Sequence, residues 1–129
     1  MEDEALSIVY VSSATHLLTD EELQTLLMSA RARNSLLGIS GILLYGDGNF
    51  MQLLEGPEAE VREVFARICS DPRHHMVTTI FEERGLPREF ADWSMAYRRV
   101  DAPDWLRLTR GLGPEDVRAS YGGIKAMLA

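Results

Sequence analysis

Three neutral hydrogen-bonding side chains occur where the surrounding pattern predicts burial: Tyr10, Asn34 and Gln52. Gln52 lies inside the apolar stretch NFMQLLEGP at 49–57, and a buried amide without a partner costs about 1–3 kcal/mol. Amide and phenol groups directed into one space would bind a flat aromatic ligand with a polar edge. Each side chain also has an ordinary interpretation: a packed strand tyrosine, a helix-ending asparagine and an edge-strand glutamine. The pattern alone leaves both interpretations open.

The first predicted strand and helix carry Tyr10 and Asn34. Residues 7–12, SIVYVS, are apolar on both faces, which is typical of a central strand covered on two sides. The sequence TDEE from Thr19 is a capping box and predicts the start of a helix. The apolar stripe of that helix, continued by four residues from Ala30, reaches Asn34. We therefore expect Tyr10 and Asn34 to face the same space between helix and sheet.

A predicted hairpin carries Gln52. Its strands, 39–45 and 49–55, are joined by Gly-Asp-Gly, and Asp-Gly is among the strongest short hairpin signals. The remaining elements are a second helix from Pro57 and strands at 76–82 and 94–100. The order βαββαββ predicts an α+β, ferredoxin-like sheet with two helices on one face.

The C-terminal segment is predicted to cover the other face of the sheet. Two helices are predicted at 103–110 and 114–128. Gly122 and Gly123 lie within the second helix and each costs it up to about 1 kcal/mol relative to alanine. We therefore divide the chain into a domain of residues 1–100 and a marginally stable helical cap of residues 101–129, which we expect to act as the output segment.

Composition narrows the class of protein. The chain has 129 residues, a formal net charge of −7 and a pI of about 4.9, which disfavour nucleic acid and anionic membranes as partners. Cys69 is the single cysteine, so no internal disulfide forms. The sequence shows neither a secretory signal pattern nor an apolar run of membrane-spanning length. We expect one compact cytoplasmic domain.

Other kinds of chemistry are weakly supported. His74 and His75 are adjacent and point differently, and His16 is distant in sequence, so a metal site is disfavoured. Cys69 is interpreted as a small core residue rather than a nucleophile. No glycine-rich loop leads onto a helix in the manner that cradles phosphate.

The sequence resembles the BLUF domains, which are blue-light sensors that use flavin. The matching stretches are IVYVSSA at 8–14, ARARNSLLGISGILLYGDGNFMQLLEGP at 30–57, DPRHHMV at 71–77 and FADWSM at 90–95. They occur in the order of the family and span about the first 100 residues, which makes the match more specific than a short motif.

The resemblance implies a photoactive hydrogen-bond network. In that family the residue matching Gln52 lies between the flavin ring and the residue matching Tyr10. The residue matching Asn34 bonds the pyrimidine edge of the ring. Trp93 and Met95 share one face of the last strand, and the family varies in which of the two points at the glutamine. The sequence leaves that choice open.

The resemblance also implies how the cofactor is held. Leu26 and Ile68 match the residues that sandwich the isoalloxazine, while Arg73, His74 and, less closely, Arg67 match the ribityl and phosphate side. The implied cofactor is FAD, with FMN or riboflavin as alternative occupants.

These features predict a short blue-light photoreceptor that is not an enzyme. Tyr10 would give an electron and a proton to the photochemistry, and Gln52 would rewire the hydrogen bonds. About 30 residues follow the sensor core, so if the chain is complete we expect output through a homodimer, a larger homo-oligomer or a downstream protein partner. If the chain is part of a longer protein, the effector belongs to the rest of that protein, and the sequence leaves this choice open. The alternatives are a light-independent, small-molecule-binding regulatory module and a dimeric α+β monooxygenase, because fold does not fix function.

Overall fold

The computed structural model describes residues 5–88, 90–91 and 94–101. The predicted order βαββαββ is confirmed. The elements are β1 (Ala5–Ala14), α1 (Asp20–Leu37), β2 (Ser40–Gly46), β3 (Asn49–Pro57), α2 (Glu58–Cys69), β4 (His74–Arg84) and β5 (Ala96–Arg99). The two helices predicted in the C-terminal segment, and Trp93, lie outside the described residues.

The five strands form one sheet in the order β4-β1-β3-β2-β5. β1 runs antiparallel to β3 and β4, and β2 runs antiparallel to β3 and parallel to β5. In this register Tyr10 and Leu43 lie on either side of Gln52. Directly opposed residues on neighbouring strands share a face, so the pairing alone brings the tyrosine next to the glutamine.

The hairpin between β2 and β3 turns through only two residues, Asp47 and Gly48. Their φ angles are 51° and 76°. Both are positive, as a type I′ turn requires, which is why Asp-Gly is favoured here. Gly46, which the sequence pattern assigned to the turn, is the last residue of β2.

The first helix begins and ends as its sequence predicts. Both halves of the capping box form, with Glu22 N donating to Thr19 Oγ1 at 3.1 Å and Thr19 N donating to Glu22 Oε1 at 3.0 Å. Gly38 ends the helix in the left-handed region at a φ of 71°.

Neither α1 nor α2, the helices in the part of the chain that the structure describes, is long and apolar enough to cross a membrane.

Apolar side chains pack on both faces of the sheet, which confirms the interpretation of β1 as a central strand. The helix-facing cluster includes Leu6, Ile8, Leu23, Leu27, Leu54, Val61, Val64 and Met95. The opposite cluster consists of Val9, Ile42, Leu44, Met51, Leu53, Phe90, Ala96 and Val100. Residues of β1 and β3 alternate between the two clusters with a period of two.

Candidate functional site

A cleft opens between the two helices above the helix-facing side of the sheet. Its volume is about 540 Å³ when the space at its mouth that is open to solvent is included. It is lined by Tyr10, Leu26, Ser29, Ala30, Arg33, Leu43, Phe50, Gln52, Ile68, Asp71, Arg73 and His74. Leu26 comes from α1 and Ile68 from α2, and both are only partly buried. The two helices thus contribute apolar walls that a ligand can contact.

Tyr10, Gln52 and Met95 form a continuous chain at the floor of this cleft. Tyr10 Oη donates a hydrogen bond to Gln52 Oε1, and Gln52 Nε2 donates to Met95 Sδ at 3.4 Å. All three side chains are buried. A thioether sulfur is a weak acceptor, so the amide has a strong partner at its oxygen end and a weak one at its nitrogen end. The hydrogen bond at the oxygen of the Gln52 amide is therefore stronger than the one at its nitrogen.

Burial keeps the Tyr10 phenol protonated. Desolvation by burial raises the pKa of Tyr10 well above its usual value, and the positive charge of Arg33 opposes the shift. The phenol ring lies 5.6 Å from that of Phe65 and 6.2 Å from that of His74, measured between centroids. Simple acid dissociation of the phenol is therefore disfavoured at this site.

One side of the cleft carries positive charge. Arg33 is partly buried there, and burial, followed by repulsion from Arg67, lowers the pKa of its guanidinium. Arg73 is held by Asp71, with Nε bonded to Oδ1 at 3.0 Å, and these bonds lower the pKa of the Asp71 carboxyl. Neighbouring guanidinium groups that repel one another are stabilised by an anion, and arginine is well suited to phosphate.

His74 uses both ring nitrogens to join β1 to α2. Nε2 is within hydrogen-bond distance of the Ile68 carbonyl oxygen, which can only accept, so Nε2 carries the hydrogen. In the neutral ring Nδ1 then accepts from the hydroxyl of Ser12 at 2.8 Å. His74 lines the cleft with its ring surface and fixes the carboxyl end of α2, which carries Ile68.

Asn34 and Arg67 are not among the side chains that line the cleft. Asn34 is fully buried, and its Nδ2 donates to the carbonyl oxygen of Ser94 at 2.8 Å. Arg67 is exposed and forms an ion pair with Glu63 at 2.8 Å. The structure thus brings together Tyr10, Leu26, Gln52, Ile68, Arg73, His74 and Met95 from the predicted set.

Sequence reasoning missed Arg33 as a candidate. It follows Ser29 by four residues and Leu26 by seven, so the helical period already puts it on the face of α1 that lines the cleft.

The expectation that Cys69 is a core residue is wrong. Cys69 is exposed as the last residue of α2, beyond the buried positions Val61 and Val64.

Among the residues that the structure describes, no three His, Cys, Asp or Glu side chains are grouped as metal ligands.

The donor set of the cleft fits a flavin. Apolar walls from Leu26 and Ile68 suit the two faces of a tricyclic ring, Gln52 can both donate and accept at its polar edge, and Arg33 and Arg73 suit a phosphate tail. The fold and the cleft therefore define a ferredoxin-like domain built to hold a flat, polar-edged, anionic ligand.

Comparison with known proteins gives the same result. The family described as "BLUF: Sensors of blue-light using FAD" matches residues 6–96. Over 93 residues the chain is 36% identical to photoactivated adenylate cyclase subunit beta of Euglena longa, which covers 69% of this chain and 10% of that protein. It is 33% identical over 84 residues to the blue light- and temperature-regulated antirepressor BluF of Escherichia coli K12, which covers 63% of this chain and 21% of that protein.

Solved structures agree in fold. The structure of BlrB, a BLUF protein in its dark state, matches with a TM-score of 0.83 and 36% identity over 98% of this chain and 99% of that one. The photo-activated state of BlsA matches with a TM-score of 0.81 and 26% identity over 92% of this chain and 93% of that one.

This chain belongs to the BLUF family. It is a sensor of blue light that uses FAD, on a ferredoxin-like fold, and the predictions of fold, light sensing and flavin cofactor are confirmed. The chain spans about 10% of the length of the first cyclase subunits that it resembles.

Proposed function

We propose that Tyr10, Gln52 and Met95 are the light-operated switch of this sensor, and that its flavin lies in the cleft between α1 and α2. The single observation that carries the proposal is the buried chain from Tyr10 Oη through the Gln52 amide to Met95 Sδ. It links the floor of the cleft to the residue that immediately precedes β5. A change of hydrogen bonding at the cofactor therefore has a direct route to an edge strand of the sheet.

The residues that would hold the cofactor fall into three groups: those at the ring faces, at the ring edge and at the phosphates. Leu26 and Ile68 contact the faces of the ring. Asn34 bonds the pyrimidine edge, as the resemblance implies; its other amide partner, the Ser94 carbonyl, orients it from behind. Arg33 and Arg73 bind the phosphates. Arg67 is a further candidate for the phosphates and has to leave Glu63 to reach them.

When bound, the flavin supplies the absorption of blue light and an excited state that accepts an electron. Tyr10 is the electron donor, and its phenolic proton leaves along its hydrogen bond to Gln52 Oε1. Return of the electron and the proton restores the phenol, so no net reaction occurs. What persists is the altered amide of Gln52.

Rotation or tautomerisation of Gln52 changes the group that faces Met95. After rotation by half a turn the amide nitrogen faces Tyr10 Oη, and the amide oxygen faces Met95 Sδ. Sulfur of a thioether cannot donate a hydrogen bond, so this contact is lost. Met95 is buried, and its carbonyl oxygen is bonded by Arg31 Nε at 2.9 Å, so a shift of Met95 is transmitted to α1 and β5.

The proposed signalling output of the domain follows from the direction of these contacts, which run from Tyr10 through Gln52 to Met95. We propose that this domain itself catalyses no reaction, works in the cytoplasm and signals from β5 through residues 102–129. The receiver is a second copy of the chain, in a homodimer or larger homo-oligomer, or a downstream protein. The position of Met95 directly before β5 supports this direction of transmission.

The test is a visible absorption spectrum of the purified chain in the dark, after blue light and during recovery. The wild type is expected to show flavin bands that shift slightly to the red without bleaching and then return. Gln52→Leu should keep the flavin and lose the shift, whereas Gln24→Leu, which removes an exposed amide from α1, should behave as the wild type. A normal shift in Gln52→Leu would overturn the switch assignment.

A further inference from the structure

Glu55 places a carboxyl group in the core on the sheet face opposite the cleft. It lies on β3 three residues after Gln52, and its side chain is 1% exposed. Its Oε1 accepts hydrogen bonds from Ser40 Oγ at 3.0 Å and from the backbone N of Phe90 at 2.6 Å. A buried carboxyl group is costly unless it is hydrogen-bonded, so these contacts explain how Glu55 is accommodated in an apolar layer.

The contact with Phe90 fixes a segment that lies outside the strands. The Phe90 side chain is fully buried in the cluster that contains Leu53 and Val100. A buried backbone N–H needs an acceptor, and here Glu55 provides what a neighbouring strand provides inside a sheet. The position of Phe90 is thereby set by a side chain of β3.

Two buried polar side chains of β3 therefore bind the connection between β4 and β5, one at its middle and one at its last residue. Glu55 holds Phe90 on one face of the sheet, and Gln52 contacts Met95 on the other. Residues three apart on a strand point to opposite faces, which is what this arrangement requires. Phe90 and Met95 are five residues apart in the sequence, so a constraint on the first limits the positions available to the second.

A second set of contacts holds the same connection from α1. Arg31 Nε bonds the carbonyl oxygen of Met95 at 2.9 Å, and Asn34 Nδ2 bonds that of Ser94 at 2.8 Å. These bonds restrain the backbone beside Met95 but reach no atom of Phe90. The rival explanation is that α1 alone determines where Met95 lies.

We propose that Glu55 is a positioning residue for the light switch: its hydrogen bond to Phe90 fixes the middle of the connection, so that Met95 lies within reach of Gln52 and moves relative to a fixed Phe90. The proposal rests on the switch described above. In the dark state Glu55 holds Met95 within reach of the Gln52 amide. After illumination Phe90 stays in place while Met95 shifts.

The test compares Glu55→Leu with Glu55→Gln and Ser40→Ala in the full, flavin-loaded chain. Glu55→Leu removes the acceptor, and we expect the dark-recovery rate constant to change by about threefold or more at normal flavin occupancy. Glu55→Gln keeps an oxygen that can accept from Phe90, and Ser40→Ala removes the hydroxyl that donates to Glu55 while leaving the contact with Phe90. Both should recover within about twofold of the wild type. An unchanged recovery rate in Glu55→Leu, or an equal change in Ser40→Ala, would overturn the proposal.

A double-mutant cycle with Met95→Leu asks whether Glu55 acts through Met95. In the Met95→Leu background, Glu55→Leu should add a clearly smaller factor than it does in the wild type. The same factor in both backgrounds contradicts the positioning role while leaving the switch intact. Normal recovery in Met95→Leu alone contradicts the switch assignment itself, so the two failures are distinguishable.

A measurement on the wild type keeps the proposal testable if Glu55→Leu does not fold. Hydrogen exchange of the Phe90 amide should show equal protection in the dark and under continuous blue light, as a fixed position of Phe90 requires. Loss of that protection in the light would show that the Glu55 contact opens, and would overturn the proposal.

Discussion

Gln52 Nε2 donates to Met95 Sδ at 3.4 Å, so the residue before β5 touches the same amide that Tyr10 holds from β1. A residue of β1 and the residue just before the edge strand β5 thus contact the same carboxamide. Its oxygen end has the stronger partner and its nitrogen end the weaker one, so we expect a change at Tyr10 to alter the contact with Met95 first.

Removing the phenol hydroxyl should abolish the photoresponse without emptying the cleft. Tyr10→Phe keeps the ring that packs against Phe65 but takes the donor from Gln52 Oε1. We expect normal flavin bands, no light-induced red shift and a loss of about 1–3 kcal/mol in unfolding free energy. Tyr97→Phe, on β5, is the control and should keep the shift. A reversible shift in Tyr10→Phe would exclude Tyr10 as the electron donor.

Arg33, a cation in the cleft wall, should make the binding affinity depend on whether the flavin carries a phosphate. Arg33→Gln is expected to weaken binding of FAD and FMN by about 10- to 100-fold, the effect of losing one charge-assisted hydrogen bond. Riboflavin has no phosphate, so its affinity should change little. Arg99→Gln removes an exposed arginine elsewhere and should alter neither. Titration of the apoprotein with each flavin measures this, and an equal loss for riboflavin would contradict a phosphate role.

The asparagine at the end of the α1 stripe should matter for flavin occupancy. Asn34→Ala is expected to lower the flavin content of purified protein more than Trp93→Ala does, because Asn34 bonds the ring directly in our assignment. The ratio of flavin to protein absorbance gives the answer. Occupancy that falls further in Trp93→Ala would show that the assignment of Asn34 is wrong.

Two adjacent histidines should have different effects on stability. His74→Ala removes the contacts to Ser12 and to the Ile68 carbonyl, so we expect a loss of about 1–3 kcal/mol in the denaturant unfolding of the apoprotein. His75 is exposed on the same strand, and His75→Ala should stay within about 0.5 kcal/mol of the wild type. Equal losses would show that His74 does not join α2 to β1.

The ion-pair group between α2 and β4 should make stability depend on acid. Hydrogen bonds from Arg84, then from Arg62, lower the pKa of Glu58 from 4.5 to about 2. A depressed pKa in the folded state stabilises the fold above the unfolded pKa, and that stabilisation is lost as the pH falls from 4.5 towards about 2. The pairs are exposed, so the effect is small and weakens with salt.

Urea unfolding at several pH values tests this dependence. The difference in unfolding free energy between wild type and Glu58→Gln should shrink as the pH falls through that window. Arg99→Gln, which breaks a pair between two exposed side chains, serves as the control. A difference that stays constant with pH would contradict the assignment to Glu58.

Local features of the fold were predictable from the sequence because they depend on neighbouring residues. The capping box at Thr19 and the Asp47-Gly48 turn are set by side chains a few positions apart, and both form as predicted. The alternation in β1 and β3 likewise put Tyr10 and Gln52 on one face. Strand ends were less well predicted: β5 begins at Ala96 instead of residue 94, because pairing with β2 decides where it starts.

Long-range relationships were decided by the tertiary structure. The sequence left open whether Trp93 or Met95 reaches Gln52, and the parallel pairing of Ala96 with Ile42 places Met95 on the helix side. Both hydrogen bonds of His74 join residues far apart or in different elements, and the sequence could not show them.

The sequence by itself determined the order of elements, the hairpin and the candidate amide and phenol, because turn chemistry and side-chain period act over a few residues. The tertiary structure decided that Arg33 lines the cleft beside Arg73, that Cys69 is exposed, and that Glu55 binds Phe90. Such contacts depend on how helices and connections pack across the sheet, and packing is set by the whole chain at once.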